Sequence, residues 1–147
     1  MTIREIGHLA FTCRDLDASI RFYKEVLGLR EKFTLYYEDA GRRVEGDQRW
    51  IVYMEVGDGS FIELFNGLDA SRPAVPGGEN YNYQHMALIL PDIQAGYREL
   101  LEKGAPVDEP PKLGCDGTWQ MWSHDPDGNR IEFMQYTDRS YQLKGRL

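Results

Sequence analysis

His8-Leu-Ala-Phe-Thr-Cys-Arg-Asp15 and His85-Met-Ala-Leu-Ile-Leu-Pro-Asp92 align without a gap, with His, Ala and Asp coinciding at a constant offset of 77 residues. The register continues to Arg21 over Arg98 and Glu25 over Glu102. Farther along, Asp58-Gly59-Ser-Phe-Ile62-Glu63-Leu-Phe matches Asp127-Gly128-Asn-Arg-Ile131-Glu132-Phe-Met at an offset of 69. Trp50 falls on Trp119 at that second offset, so the second copy is eight residues shorter between its helix and its last strands. A repeat of this kind is read before local propensities, because both copies must satisfy one fold.

Each copy reads alike. Ile6–Thr12 is β-rich, with Gly7 just before His8, and suits an inward-facing strand. Asp15 or Asp17 caps a helix carrying Ile20, Tyr23 and Leu27 on one face and ended by Gly28. Its counterpart starts at Asp92, carries Ile93, Tyr97, Leu100 and Leu101, and closes at Gly104 and Pro106. Strand-like segments (Trp50–Val56, Thr118–Ser123) then run into an Asp-Gly pair, a strong hairpin signal, and a short apolar strand bearing a glutamate. The expectation is an α+β chain of two βαβββ modules, 1–68 and 83–137, within one domain spanning 1–147. Gly67–Asn82, with Pro73, Pro76, Gly77 and Gly78, is the linker. The polar stretch Tyr36–Arg49 is either a long hairpin or a cover over a site. The polar, basic tail Arg139–Leu147 is expected to fray or to pack on a partner.

Composition narrows the class. Among 147 residues, 41% are apolar and 28% charged, which suits a globular chain, and no apolar run approaches the ~20 residues of a membrane span. The net charge of −7 argues against a nucleic-acid partner, since such partners need clustered Lys and Arg. The first residues lack a secretory pattern, so a cytoplasmic location is expected. Cys13 and Cys115 then read as two reduced thiols.

His8 and His85 occupy equivalent places in the first strand of each copy, and Glu63 and Glu132 equivalent places in the last. Ile6 and Ala10 flank His8 on its own face, Ala87 and Ile89 flank His85, and Phe61 and Phe65 flank Glu63, so all read as core-facing. A carboxylate facing a core costs several kcal/mol unless paired, protonated or coordinated. One strand histidine or one such glutamate is ordinarily unremarkable. Joint recurrence in both copies points instead to a shared His₂Glu₂ site for one divalent metal (Ni, Co, Zn, Mn or Fe). Four protein ligands leave coordination positions for a small-molecule substrate, and a glutamate can act as base. His124 reads as a turn residue. Trp50, Tyr53, Trp119 and Trp122 read as strand packing before they read as a ligand box.

Gly7-His8-Leu-Ala-Phe, Ser19-Ile-Arg-Phe-Tyr-Lys-Glu-Val-Leu-Gly28, Phe61-Ile-Glu63-Leu, His85-Met-Ala-Leu and Asp125-Pro-Asp-Gly-Asn-Arg-Ile-Glu132-Phe span nearly the whole chain. Together they resemble the vicinal oxygen chelate superfamily of glyoxalase I, bleomycin-resistance proteins and extradiol dioxygenases. The resemblance implies paired βαβββ modules curled into an open cup around a metal, built within one chain or across a homodimer. The order His8, Glu63, His85, Glu132 is similar to the ligand set of glyoxalase I (lactoylglutathione lyase). This implies a metal-dependent lyase or isomerase moving a proton on an α-hydroxycarbonyl compound, with Glu132 and Glu63 as its catalytic carboxylates. An Fe(II) extradiol-type dioxygenase and a non-catalytic, bleomycin-resistance-like binding protein are the alternatives. Glu25 stands where glyoxalase I typically has a basic residue, and Phe65-Asn66-Gly67 replaces its Asn-Trp-Gly. A glutathione hemithioacetal therefore stands beside a sugar phosphate or another α-hydroxyketone as substrate, with Arg42, Arg43 or Arg49 as a possible anion clamp.

Overall fold

The computed structural model describes residues 5–57, 59–68, 71 and 83–145. The chain divides into two compact units, Met1–Ala74 and Val75–Leu147. Asp58 and most of the Gly67–Asn82 linker lie outside the described residues.

In the first unit the order is β1 (His8–Cys13), α1 (Leu16–Arg21), β2 (Arg30–Tyr36), β3 (Arg49–Glu55) and β4 (Phe61–Asn66). The sheet order is β1-β4-β3-β2, with β1 parallel to β4 and the other pairs antiparallel. The second unit repeats this with β5 (Met86–Ile89), α2 (Ile93–Glu102), β6 (Glu109–Leu113), β7 (Trp119–His124) and β8 (Arg130–Gln135), in the order β5-β8-β7-β6. The expected βαβββ module thus forms twice. A parallel first pair requires a crossover, and the helix supplies it.

Asp15 and Asp92 are the helix caps. Asp15 accepts the Ala18 N–H, and Asp92 accepts those of Gln94 and Ala95. Beyond Arg21 the first helix widens into a π-helical turn, Phe22–Val26, closed by the Leu27 N–H on the Phe22 carbonyl at 3.0 Å. Consecutive Phe22 and Tyr23 are both buried, three and four residues beyond buried Ser19. The buried face is accordingly Leu16, Ser19, Phe22 and Tyr23, whereas Ile20 and Leu27, expected to lead it, are only partly covered.

The core of the first unit lies on the helix side of its sheet: Cys13, Val52, Met54, Ile62 and Leu64. In the second unit Met86, Met121, Ile131 and Phe133 occupy that side with Ile93 and Leu100 of α2. This corrects one expectation. Ile6, Ala10, Ala87 and Ile89 share a face with the histidines, opposite the side that α1 and α2 cover, and these residues are exposed.

The Tyr36–Arg49 stretch is folded back on itself. Tyr37–Ala40 forms a 3₁₀ turn, buried Tyr37 stacks near Trp50, and the Gln48 amide is tied to the carbonyls of Val44 and Gly46. The tail is also anchored rather than frayed, at least through its described residues to Gly145. Ser140 is buried, Thr118 donates to it at 2.9 Å, and the Tyr141 N–H binds the Asp116 carbonyl. A side chain at Gly117 would come within 2.6 Å of the Arg139 carbonyl, so the glycine permits this close approach. The two cysteines, Cys13 (buried) and Cys115 (exposed), are not joined in a disulfide. Among the described residues no helix is long and apolar enough to cross a membrane.

Candidate metal centre

Strand register sets the candidate residues on one face of each sheet. Ala10 pairs with Glu63 across β1 and β4, and Glu63 with Tyr53 across β4 and β3. Partners in register point the same way, so His8, Glu63 and Tyr53 emerge together on the face away from α1. The second unit reproduces the pattern: Ala87 pairs with Glu132, and Glu132 with Trp122.

Each unit brings its own His–Glu pair together. His8 Nδ1 lies 3.5 Å from a Glu63 carboxylate oxygen, and His85 Nε2 lies 3.3 Å from one of Glu132. Glu63 is buried, with only 7% of its surface exposed, and Glu132 is partly buried, while the His8 ring is largely open. Among the described residues no group of three or more His, Cys, Asp or Glu side chains gathers as a metal site. The structure therefore supplies two pairs of donors, and the expected convergence of all four stands as a proposal.

The pairs suit an ion chemically. Both separations exceed the 2.7–2.9 Å of a tight charge-assisted hydrogen bond. They match two donors sharing one cation about 2.1 Å from each, as imidazole and carboxylate ligands of zinc do. Burial pushes the Glu132 carboxyl above its ordinary range, with His85 pulling the other way. The Tyr53 phenol is held up first by burial and then by the Glu63 carboxylate beside it. Both glutamates thus sit where a cation is favoured.

The second unit adds side chains that sequence reasoning ranked low. Trp122 meets the His85 ring edge-on at 4.8 Å and lies 4.2 Å beneath the Arg130 guanidinium. These contacts place it on the His/Glu face and outside the helix-side core. His124 is no loose turn residue, since its Nδ1 lies 2.9 Å from the Asp108 carboxylate. The signal for both was the strand period, because residues 122 and 124 alternate with buried Met121 and Ser123.

The suggested anion clamp fares less well. Arg49 is held by Asp47 at 2.6 Å and by Asp17 at 2.8 Å, and Arg42 lies over the rings of Tyr37 and Trp50. The concavity of about 450 Å³ that Arg49 lines, with Arg14, Asp17 and Asn66, includes neither His8 nor Glu63. Arg43 lines a smaller one with Glu38 and Gln48.

The Glyoxalase/Bleomycin resistance protein/Dioxygenase superfamily model matches residues 5–133. The chain belongs to that superfamily. The Bacillus subtilis protein YwbC is 30% identical over 133 residues, covering 90% of this chain and 98% of that one. Virulence protein STM3117 of Salmonella typhimurium is 30% identical over 139 residues, covering 92% and 87%. Its crystal structure superposes with a TM-score of 0.64 over 93% of this chain and 100% of that chain. A 2-epi-5-epi-valiolone epimerase from an Actinomyces species is 27% identical over 121 residues, 76% of this chain and 66% of that one.

Proposed function

We propose that the protein is a divalent-metal-dependent lyase or isomerase that moves a proton between adjacent carbons of an α-hydroxycarbonyl compound. The observation that carries this reading is the repetition of one His–Glu pair, in one strand register, in both units. His8, Glu63, His85 and Glu132 would hold the ion, which supplies Lewis-acid polarisation of a carbonyl.

The chain's own residues provide the rest. Glu132, partly buried beside His85, would serve as the base once released from the ion. It takes the proton from the carbon bearing the hydroxyl, and the electron pair of that C–H bond moves toward the carbonyl. Returning the proton to the neighbouring carbon, while the hydroxyl proton passes to the former carbonyl oxygen, completes an isomerisation, and returning it to the other face of the same carbon an epimerisation. Similarity to an epimerase supports this class. Glu63, buried beside the Tyr53 phenol, is suited to holding charge. Homodimer formation and a cytoplasmic setting belong to the same proposal.

The test combines elemental analysis of purified protein with proton NMR in deuterated water. A glutathione hemithioacetal, a sugar phosphate and hydroxyacetone serve as substrates. Deuterium should enter the α-carbon of at least one of them, and only with metal present. A protein that takes up no divalent metal after reconstitution sinks the proposal. Oxygen uptake with catechols would replace it with a dioxygenase, and metal-independent ligand binding with a sequestering protein.

A further inference from the structure

The two repeats part chemically at one position of the His/Glu face. Where the first unit has Phe61, in edge-on contact with Tyr53 at 5.9 Å, the second has Arg130, stacked on Trp122. Packing alone gives no reason for a cation here, since the equivalent module is complete with a phenylalanine.

Arg130 is held in place before any ligand arrives. Asp125 accepts the backbone N–H groups of Asp127 and Asn129 and the Asn129 amide, fixing the turn that starts β8. The Tyr83 hydroxyl donates to the Arg130 carbonyl at 2.9 Å. Trp122 is itself oriented, its indole N–H donating to the Gln120 side chain at 3.2 Å. The guanidinium rests 4.2 Å from the ring centre, and such stacking leaves its in-plane N–H donors unspent. Register pairs Trp122 with Glu132 and His124 with Arg130, so all four share the face.

Several other cations are engaged by carboxylates, while Arg42, like Arg130, lies over aromatic rings. Arg30 and Lys32 are bonded to Glu55, Arg49 to Asp17 and Asp47, and His124 to Asp108. Among the described residues no Asp or Glu forms an ion pair with Arg130. Its attraction to Glu132 is weaker than the effects of burial and of His85 on that carboxyl. A planar guanidinium with free edges, two residues along the strand from a candidate base, matches a carboxylate or phosphate in bidentate fashion.

We propose that Arg130, laid flat on Trp122, recognises an anionic group of the substrate handled at His85 and Glu132, so that the substrate is an α-hydroxycarbonyl bearing a carboxylate or a phosphate. This rests on the proton-transfer reading above and narrows its substrate class. Arg130 is a substrate-binding residue in this account, and the base remains a glutamate.

The test titrates metal-loaded, nitrogen-15-labelled protein with three probes: hydroxyacetone (neutral), hydroxypyruvate (carboxylate) and dihydroxyacetone phosphate. At least one charged probe should bind about tenfold or more tightly than hydroxyacetone and shift the Arg130 Nε–H and Trp122 Nε1–H resonances. The stronger of the two charged probes identifies the anion. Arg130→Met, which still covers Trp122, should remove that preference, change hydroxyacetone binding less than about twofold, and leave metal content unchanged. Arg130→Lys should retain part of it. Equal affinity of the wild type for charged and neutral probes overturns the proposal, as does a preference that survives Arg130→Met. If Arg130→Met does not fold, a wild-type Arg130 resonance unmoved by either charged probe overturns it alone. Failure of the metal-enzyme reading is separable, because it shows as absent metal uptake in the same samples.

Discussion

Glu132 sits beside an imidazole and in register with Trp122, partly withdrawn from water, and its carboxyl is raised by burial. A group whose folded pKa exceeds its unfolded value contributes stability at acid pH and loses it as pH rises through the folded pKa. In chelator-treated protein, Glu132→Gln should therefore melt at a higher temperature than wild type at neutral pH. The gap should shrink as pH falls through the carboxylate range. The same substitution should abolish deuterium exchange into substrate, a loss of at least about a hundredfold, with the fold retained by circular dichroism. Asp125 presents a different case. It is 2% exposed and accepts three hydrogen bonds within its own turn. Asp125→Ala should cost about 2–4 kcal/mol in urea unfolding, because buried donors lose their acceptor. It should also weaken charged-probe binding by releasing Arg130.

At the scale of elements, the caps were legible and the core faces were not. Asp15 and Asp92 precede apolar-periodic runs and do cap their helices. Asp92→Ala, losing two accepted N–H groups, should cost about 1 kcal/mol in thermal or urea unfolding. On the first helix the buried stripe runs at ordinary helical spacing through Ser19, and a small polar residue at that place drew the expectation to neighbouring Ile20. The face of β1 was misjudged although Leu9, Phe11 and Cys13 make one side apolar and His8, Ala10 and Thr12 make the other mixed. Cys13 goes inward while Ala10 is left open. The tail was misread because its anchors are single hydrogen bonds to the Asp116–Thr118 turn, far away in sequence. Gly117→Ala should expose that anchor, since its φ of +75° and the Arg139 carbonyl both oppose a side chain. Faster amide exchange over 140–145, with the sheet unaffected, is the expected readout.

Across the whole molecule the duplication carried most of what could be read. Two copies of one pattern predicted two copies of one sheet, and the sheets have matching strand orders. The same operation related His8 to His85 and Glu63 to Glu132, and each unit holds its own His–Glu pair. What the repeat hid was its own exception. Arg130 in place of Phe61 looks like ordinary divergence until the ring beneath it and its open donors are seen. The central claim, that both repeats grip one ion, is tested by metal stoichiometry and affinity in the wild type and in two variants. One variant, Glu63→Gln with His8→Ala, disables the first pair, and the other, Glu132→Gln with His85→Ala, disables the second. The account predicts one divalent ion per chain in the wild type and its loss in each variant alone. Retention of an ion at similar affinity after either pair is removed would contradict it.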